Sequence, residues 1–129
     1  MTHKQTPVAG FQIHHLRFME ASGELSQPLP SFANEDTLID LYRLMTLIRT
    51  FDTKAVNLQR TGQMGTYPSC RGAEAFGVGI GHALYDDDVF CPYYRDQGTL
   101  LQRQGGLEHI LQYWGGDERG SHALTHNED

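Results

Sequence analysis

The chain of 129 residues has no run of apolar residues as long as a membrane span, and it has no excess of positive charge. Its 10 lysines and arginines stand against 16 acidic residues, which gives a formal net charge of -6 at pH 7. Without a basic stripe, a role in binding nucleic acid is unfavourable. The first residues also lack the apolar segment of a secretory signal. These absences argue against membrane and nucleic-acid partners and favour a cytoplasmic protein of bacterial type.

Cysteine is scarce as well, since Cys70 and Cys91 are the only two in the sequence. A disulfide between them stays open, but nothing in their surroundings argues for an oxidising compartment. The chain is nevertheless long enough to bury the core of one ordinary domain.

Residues 1–33 predict an irregular N-terminal arm. The stretch from His14 to Met19 is a candidate short strand, and Pro28 and Pro30 then oppose regular structure. Such an arm either lies over a neighbouring subunit or is disordered, and the sequence leaves both alternatives open.

A long helix from about Asp36 to Arg60 is the clearest structural prediction. Asn34 is a suitable N-cap, and Glu35 suits the positive end of the helix dipole. One apolar row with three–four spacing consists of Leu38, Leu41, Met45, Ile48, Ala55 and Leu58. Asp52 stands at the one turn that this row skips. A second apolar row lies beside it at Leu44, Leu47 and Phe51, so the helix is predicted to be buried on more than one side.

The rest of the chain predicts three further helices and one short strand. The helices span about Gly72 to Leu84, Asp96 to Gln104 and Leu107 to Trp114, and the strand spans Val89 to Cys91. Glu74 suits the start of the second helix and has a structural role there. Gly77, Gly79 and Gly81 lower helix propensity, which is best explained by close packing against another element. After Gly115 the sequence is polar and loop-like. This mostly helical pattern with one or two short strands is typical of the front of a larger α/β domain.

The segment Val89–Gly98 carries the strongest chemical signal. In it Tyr94 and Arg95 stand directly before a predicted helix. A guanidinium can bind two phosphate oxygens, the free N–H groups of a helix start favour the same anion, and a tyrosine adds an apolar face and a hydroxyl. The pattern indicates a ligand with a ring and a phosphate. From these residues alone, a surface arginine beside tyrosines packed on the core is the more common arrangement.

Two other segments accompany this one, Gly62–Ala75 upstream and Ile110–Ser121 downstream. In this order and spacing, the three resemble the alpha subunit of a thiamine-diphosphate-dependent 2-oxo acid dehydrogenase, most closely that of bacterial pyruvate dehydrogenase. The resemblance runs from about Phe11 to Ser121. It implies an α/β thiamine-diphosphate-binding fold, of which residues 34–129 form an incomplete N-terminal part. The family's magnesium–diphosphate motif has no counterpart here, so the chain is expected to be a fragment.

The resemblance implies roles for four residues. Tyr94 and Arg95 would bind the cofactor, with the arginine at the diphosphate and the tyrosine in the cofactor cleft. Thr66 and Tyr67 would line the 2-oxo acid pocket, although a turn with an exposed tyrosine is an equally common alternative. The resemblance identifies no catalytic residue and no metal ligand in this chain, and the ligands of Mg²⁺ are expected beyond Asp129.

The activity that the resemblance implies is decarboxylation of pyruvate with thiamine diphosphate and reductive acetylation of lipoamide. The implied partners are a beta subunit, in an α2β2 heterotetramer, and a lipoyl-bearing acyltransferase core. The chain alone is expected to be inactive. Three alternatives stay open: the alpha subunit of a branched-chain 2-oxo acid dehydrogenase, a non-catalytic helical module for subunit docking, and a stand-alone domain that binds a phosphate ligand through Val89–Gly98.

Overall fold

The computed structural model of the chain describes residues 6–104 and 106–122. The chain divides into two compact units, Met1–Ala33 and Asn34–Asp129. Over the described residues, helices make up nearly all of the regular structure, which confirms the prediction of a mostly helical chain. In the same part of the chain, no helix is both long and apolar enough to cross a membrane.

The first unit is irregular over its described residues, apart from one tight turn. Met19 and Leu25 form a single antiparallel bridge across this turn, and the Glu20 amide donates to the Glu24 carbonyl at 2.8 Å. The strand predicted over residues 14–19 is wrong, because only Met19 pairs. The Phe18 carbonyl accepts a hydrogen bond from the Ser26 amide at 2.9 Å, but no strand among the described residues pairs with residues 14–18.

The longest helix, α1, spans Glu35–Arg60. Asn34 caps it, because its side-chain oxygen accepts a hydrogen bond from the Thr37 amide at 3.0 Å. Gly62 follows the end of the helix with φ of +72°, a conformation that favours glycine. The predicted cap and the predicted extent of this helix are therefore confirmed.

Two shorter helices meet through glycine. They are α2, Glu74–Ala83, and α3, Gln97–Gln104. A Cβ built on Gly98 would lie 2.9 Å from the Val78 backbone nitrogen and 3.3 Å from the Gly77 Cα, so the two backbones are in direct contact. The Thr99 hydroxyl donates to the Gly77 carbonyl at 2.8 Å. Close packing is thus confirmed for Gly77, whereas a Cβ on Gly79 would meet nothing within 4 Å.

The connection between α2 and α3 is irregular, so the strand predicted at residues 89–91 is wrong. Val89 is 90% exposed, and no strand in the described residues lies beside it to complete a sheet. Arg103 of α3 holds the connection instead, because its guanidinium donates to the carbonyls of Tyr85 and Asp88 at 2.9 and 2.8 Å.

The helix α4, Leu107–Gly115, is followed by the short helix α5, Arg119–His122. Gly116 lies between them with φ of +79° and ends α4. Gly120 of α5 packs so closely on α4 that a Cβ there would clash with the backbone of Tyr113. The polar loop predicted after α4 therefore contains one turn of helix, because a glycine at this position lets the chain fold back onto α4.

The core of the second unit forms where α1, the loop after it and α4 meet. Its buried members are Phe51, Ala55, Met64, Tyr67 and Ile110. The Tyr67 ring lies edge-on to the rings of Phe51 and Trp114, with ring centroids 6.2 and 6.1 Å apart. The loop after α1 is therefore fixed to the core immediately before the residues that support the candidate site.

Candidate functional site

Tyr94 and Arg95 lie side by side in the loop that leads into α3. The guanidinium carbon of Arg95 lies 5.1 Å from the centre of the Tyr94 ring, which is a cation–π distance. The same guanidinium donates to the main-chain carbonyl of Ser69, and it joins no ion pair with the described residues. Both side chains are exposed, and an arginine has five N–H donors. Arg95 therefore keeps donors for an anion.

A second tyrosine lies against this pair. The ring centroids of Tyr93 and Tyr94 are 3.8 Å apart, with 43° between the ring planes. A hydrogen bond with Tyr93, followed by the influence of Arg95, lowers the pKa of the Tyr94 hydroxyl. The three residues form an exposed surface with two aromatic rings and one positive charge.

The start of α3 carries a carboxylate beside the arginine. Asp96 is 8% exposed, and its side chain accepts a hydrogen bond from the Tyr93 amide at 2.6 Å. Its main-chain carbonyl accepts from the amides of Thr99 and Leu100 and so begins the helix. An anion at this helix start would meet the negative charge of Asp96. The arginine side chain, rather than the helix amides alone, must therefore supply the attraction.

A cavity of about 210 Å³ opens beside the tyrosines. Most of its wall is aromatic or aliphatic and consists of Tyr93, Tyr94, Leu100, Ile110, Tyr113 and Trp114. Gln97 also lines it, is 1% exposed, and donates from its side-chain amide to the carbonyls of Pro68 and Tyr94 at 3.2 and 3.3 Å. The Gln97 side-chain oxygen has no hydrogen-bond partner among the described residues. The wall therefore suits an apolar or aromatic group and contains one buried acceptor.

The two predicted pocket residues do not line this cavity. Tyr67 is 4% exposed within the core, and its hydroxyl donates to Asp52 at 3.0 Å. Burial raises the pKa of the Tyr67 hydroxyl well above its ordinary value. Thr66, the preceding residue, is exposed. The structure thus makes Tyr67 a core residue, and a contact of either side chain with substrate stays a prediction.

Asp52 of α1 is a residue of this region for which the sequence pattern predicted no functional role. It is 2% exposed, and its carboxylate accepts from the Tyr67 hydroxyl at 3.0 Å, the Ser69 hydroxyl at 2.7 Å and the Cys70 amide at 2.7 Å. A buried carboxylate is unfavourable unless donors surround it, and these three meet that need. The sequence signal for such a role is an acidic residue at the turn that the apolar row of α1 skips.

Glu74, the first residue of α2, has a charged partner. It forms an ion pair with Arg49 of α1 and accepts a hydrogen bond from the Gly72 amide at 2.9 Å. The hydrogen bond from Arg49 is the main cause that lowers the pKa of Glu74 to about 2. Glu74 is therefore charged at neutral pH and connects α2 to α1, in agreement with its predicted structural role.

Cys70 and Cys91 are both free thiols, the first buried and the second exposed. Burial raises the pKa of the Cys70 thiol to about 12, so this side chain stays protonated at neutral pH. Among residues 6–104 and 106–122, no group of three His, Cys, Asp or Glu side chains is arranged to hold a metal ion.

A protein-family model described as "Dehydrogenase E1 component" matches residues 42–128. The match includes α1 from Tyr42 onward, the Tyr93–Arg95 surface and the cavity beside it. No solved structure matches the chain significantly.

Three curated relatives illustrate the likeness. The chain is 41% identical over 87 residues to the pyruvate dehydrogenase E1 component subunit alpha of Acholeplasma laidlawii, a match that covers 67% of the chain and 25% of that protein. It is 32% identical over 118 residues to the subunit of the same name from Mycoplasma pneumoniae, with 91% and 32% covered. It is 40% identical over 91 residues to the 3-methyl-2-oxobutanoate dehydrogenase subunit alpha of Mycobacterium tuberculosis, with 70% and 25% covered. The chain thus spans about a quarter to a third of the length of these relatives.

Proposed function

The chain belongs to the dehydrogenase E1 component family, and we propose that it forms part of the alpha subunit of a thiamine-diphosphate-dependent 2-oxo acid dehydrogenase. The names of the relatives support an alpha subunit, at up to 41% identity. The observation that carries a cofactor role for this chain is the exposed guanidinium of Arg95 beside the Tyr94 ring. In the proposal, Tyr94 and Arg95 bind the cofactor.

The residues present fit the diphosphate end of that cofactor. Arg95 lies in no ion pair with the described residues and can offer two parallel N–H donors to neighbouring oxygens. The hydroxyl of Tyr94 has a lowered pKa, which makes it a better hydrogen-bond donor to an anion. A charged fork and a hydroxyl in adjacent positions are the donor set that a diphosphate requires.

The work of this chain is therefore binding and orientation. Thiamine diphosphate, when bound, supplies the electron sink for loss of carbon dioxide from a 2-oxo acid. Arg95 would balance the diphosphate charge, and Tyr94 would donate to one of its oxygens. Thr66 is exposed and remains our candidate for a substrate contact, whereas Tyr67 is enclosed by the core. In the proposal, the ligands of Mg²⁺ come from residues outside those that the structure describes.

We place pyruvate first among the 2-oxo acids, because the relatives from Acholeplasma and Mycoplasma are named for it. The mycobacterial relative is named for 3-methyl-2-oxobutanoate, which makes a branched-chain 2-oxo acid the second candidate. The proposed partners are a beta subunit, in an α2β2 assembly, and a lipoyl-bearing acyltransferase core in the bacterial cytoplasm. A comparison of kcat/KM for pyruvate and for 3-methyl-2-oxobutanoate distinguishes the two substrates.

Replacement of Arg95 by alanine in the α2β2 enzyme tests the cofactor role. A hydrogen bond to a charged group contributes about 1.5–3 kcal/mol, so the affinity for thiamine diphosphate should fall by roughly 10- to 150-fold in calorimetric titration. Arg95→Lys keeps the charge without the fork and should bind with intermediate affinity. Arg43 is an exposed arginine of α1 that pairs with Asp40, and the control variant Arg43→Ala should bind the cofactor like the wild type. Unchanged affinity in Arg95→Ala would remove Arg95 from the site.

A further inference from the structure

We propose that Asp52 is a positioning residue for Arg95 and acts through the loop Tyr67–Cys70. The inference rests on the proposed function, because it places Asp52 behind the site in which Arg95 holds a diphosphate. Asp52 lies in α1 and is buried, so it does not itself touch the ligand. Its role is to fix the main-chain carbonyl to which the guanidinium is bonded.

The carboxylate of Asp52 holds this loop at three points. One oxygen accepts from the Tyr67 hydroxyl at 3.0 Å and from the Cys70 amide at 2.7 Å, and the other accepts from the Ser69 hydroxyl at 2.7 Å. Asp52, Tyr67 and Cys70 are each less than 5% exposed, with values of 2%, 4% and 3%. Water therefore competes little for the bonds from Tyr67 and Cys70, and the bond from Ser69 is partly buried. Together the three bonds fix the chain on both sides of Ser69.

The same loop holds the residues at the start of α3. The Ser69 carbonyl accepts from the Arg95 guanidinium, and the Pro68 carbonyl accepts from the Gln97 side-chain amide at 3.2 Å. Gln97 is 1% exposed, and the second contact is partly buried. Asp52 and Arg95 thus bind the same short segment: Asp52 accepts from two of its hydroxyls and one of its amides, and Arg95 donates to one of its carbonyls.

This arrangement matters because an arginine side chain has many rotamers. When it is held in one orientation it loses conformational entropy, and a ligand that must orient it binds more weakly. A carbonyl that is already fixed orients the guanidinium before the ligand arrives. Loss of the three hydrogen bonds that Asp52 accepts would free the loop and with it the carbonyl of Ser69. The Arg95 side chain would then lose its conformational entropy only when the ligand binds, and the affinity would fall.

Asp52→Ala in the α2β2 enzyme removes all three acceptor contacts. We expect its affinity for thiamine diphosphate, measured by calorimetry, to fall by about tenfold. Asp52→Asn should restore most of that affinity, because its amide oxygen can accept from Tyr67 and Cys70 and its amide nitrogen can donate to the Ser69 hydroxyl. Asp40→Ala, an exposed acid on the same helix, is the matched control and should bind like the wild type. A failure of Asp52→Asn to restore binding would contradict positioning by hydrogen bonds.

A double-mutant cycle separates positioning from a general loss of stability. If Asp52 acts through Arg95, Asp52→Ala should weaken binding no further in an Arg95→Ala background. Additive effects would overturn the inference, and so would unchanged affinity in a folded Asp52→Ala enzyme. If instead Arg95 does not bind the cofactor, so that the proposed function itself is wrong, Arg95→Ala alone leaves the affinity for thiamine diphosphate unchanged.

A milder variant covers the case in which Asp52→Ala does not fold. Ser69→Ala removes one of the three bonds and keeps the main-chain carbonyl. We expect binding of thiamine diphosphate to weaken by about threefold, and this effect should vanish in an Arg95→Ala background. A weakening that persists without the guanidinium, or no weakening at all, would overturn the role of Asp52.

Discussion

At the scale of single residues, two buried carboxylates of the second unit are satisfied by different kinds of partner. Asp52 accepts from two hydroxyls and an amide of a loop, whereas Glu74 forms an ion pair with Arg49. The Glu74 pair includes a side chain that is half exposed, since Arg49 retains 48% of its side-chain surface. Solvent therefore reaches the ion pair and weakens it. Because the pair needs a charged Glu74, its contribution to stability depends on pH.

Glu74→Gln should remove that pH-dependent contribution. The pKa of Glu74 is about 2 in the folded chain against an ordinary 4.5, so the contribution is complete above about pH 4.5 and is lost as the pH falls towards 2. At neutral pH the free energy of unfolding should fall by about 1–2 kcal/mol, a figure reduced for the solvent around Arg49. Urea unfolding between pH 7 and pH 2 measures the difference between variant and wild type.

That difference should shrink at acid pH, because the wild-type carboxyl is then protonated as well. Asp40→Asn, which removes an exposed pair with Arg43, should change the stability by less than about 0.5 kcal/mol and serves as the control. A Glu74→Gln deficit of the same size at pH 7 and at the acid end would show that the ion pair is not its source.

The residues with local partners could be predicted from the sequence, and the others could not. Asn34 caps a helix by binding an amide three residues away, so its type and position suffice. Asp52 binds donors 15, 17 and 18 residues further along, which reach it only because the chain turns back after α1. An acid in an apolar row indicates that some partner exists but does not identify it.

At the scale of elements, α2 and α3 are in direct backbone contact at one point. Gly77 and Gly98 bring the two backbones together, and the Thr99 hydroxyl bonds across the contact. The start of α3, which follows Arg95, is therefore held both by α2 and by the loop after α1. Its position depends on the absence of a side chain at two glycines.

Gly98→Ala and Gly79→Ala form a matched pair that tests this contact. A Cβ on Gly98 would lie 2.9 Å from the Val78 backbone nitrogen and 3.0 Å from the Gly77 carbonyl carbon, so overpacking should lower the free energy of unfolding by about 1–3 kcal/mol. A Cβ on Gly79 would meet nothing within 4 Å, so Gly79→Ala should raise stability by about 0.5–1 kcal/mol through helix propensity. Thermal or urea unfolding measures both, and equal effects at the two positions would refute the contact.

The helices were predictable because their signals are local. The predicted ends of α1 to α4 lie within two residues of those observed, since apolar spacing, caps and terminal glycines are read along the chain. The prediction of a strand at residues 89–91 was wrong because strand formation depends on non-local partners. A short apolar run becomes a strand only when another strand lies beside it, and such a partner is a property of the tertiary fold.

At the scale of the whole molecule, the overall charge does not favour an anionic ligand. The net charge is -6, and Asp96 lies directly after the arginine. Long-range attraction of a diphosphate is therefore weak, and binding depends on contacts at short range.

The family could be predicted from the sequence, because the three motif segments keep their order along the chain. The cavity was not predictable, because its wall combines α3 and α4 in a relative position that no local pattern specifies.

The 129-residue chain by itself should bind thiamine diphosphate with a dissociation constant above about 1 mM. One charged contact supplies about 1.5–3 kcal/mol, whereas a millimolar complex needs about 4 kcal/mol. Titration followed by NMR or calorimetry measures this constant. Addition of the beta subunit should tighten binding, and the chain without it should not decarboxylate pyruvate. A micromolar constant or turnover by the chain alone would contradict the proposal that it supplies only part of the site.

The unequal exposure of the Cys70 and Cys91 thiols provides a way to measure opening of the loop Tyr67–Cys70. A maleimide added to the native chain can reach Cys91 directly, whereas Cys70 is 3% exposed and is shielded while the loop stays bound to Asp52. The slower labelling of Cys70 then reports how readily the backbone beside Ser69 opens. The chain thus carries a native reporter thiol next to the arginine that we propose binds the diphosphate, and no cysteine has to be engineered for the measurement.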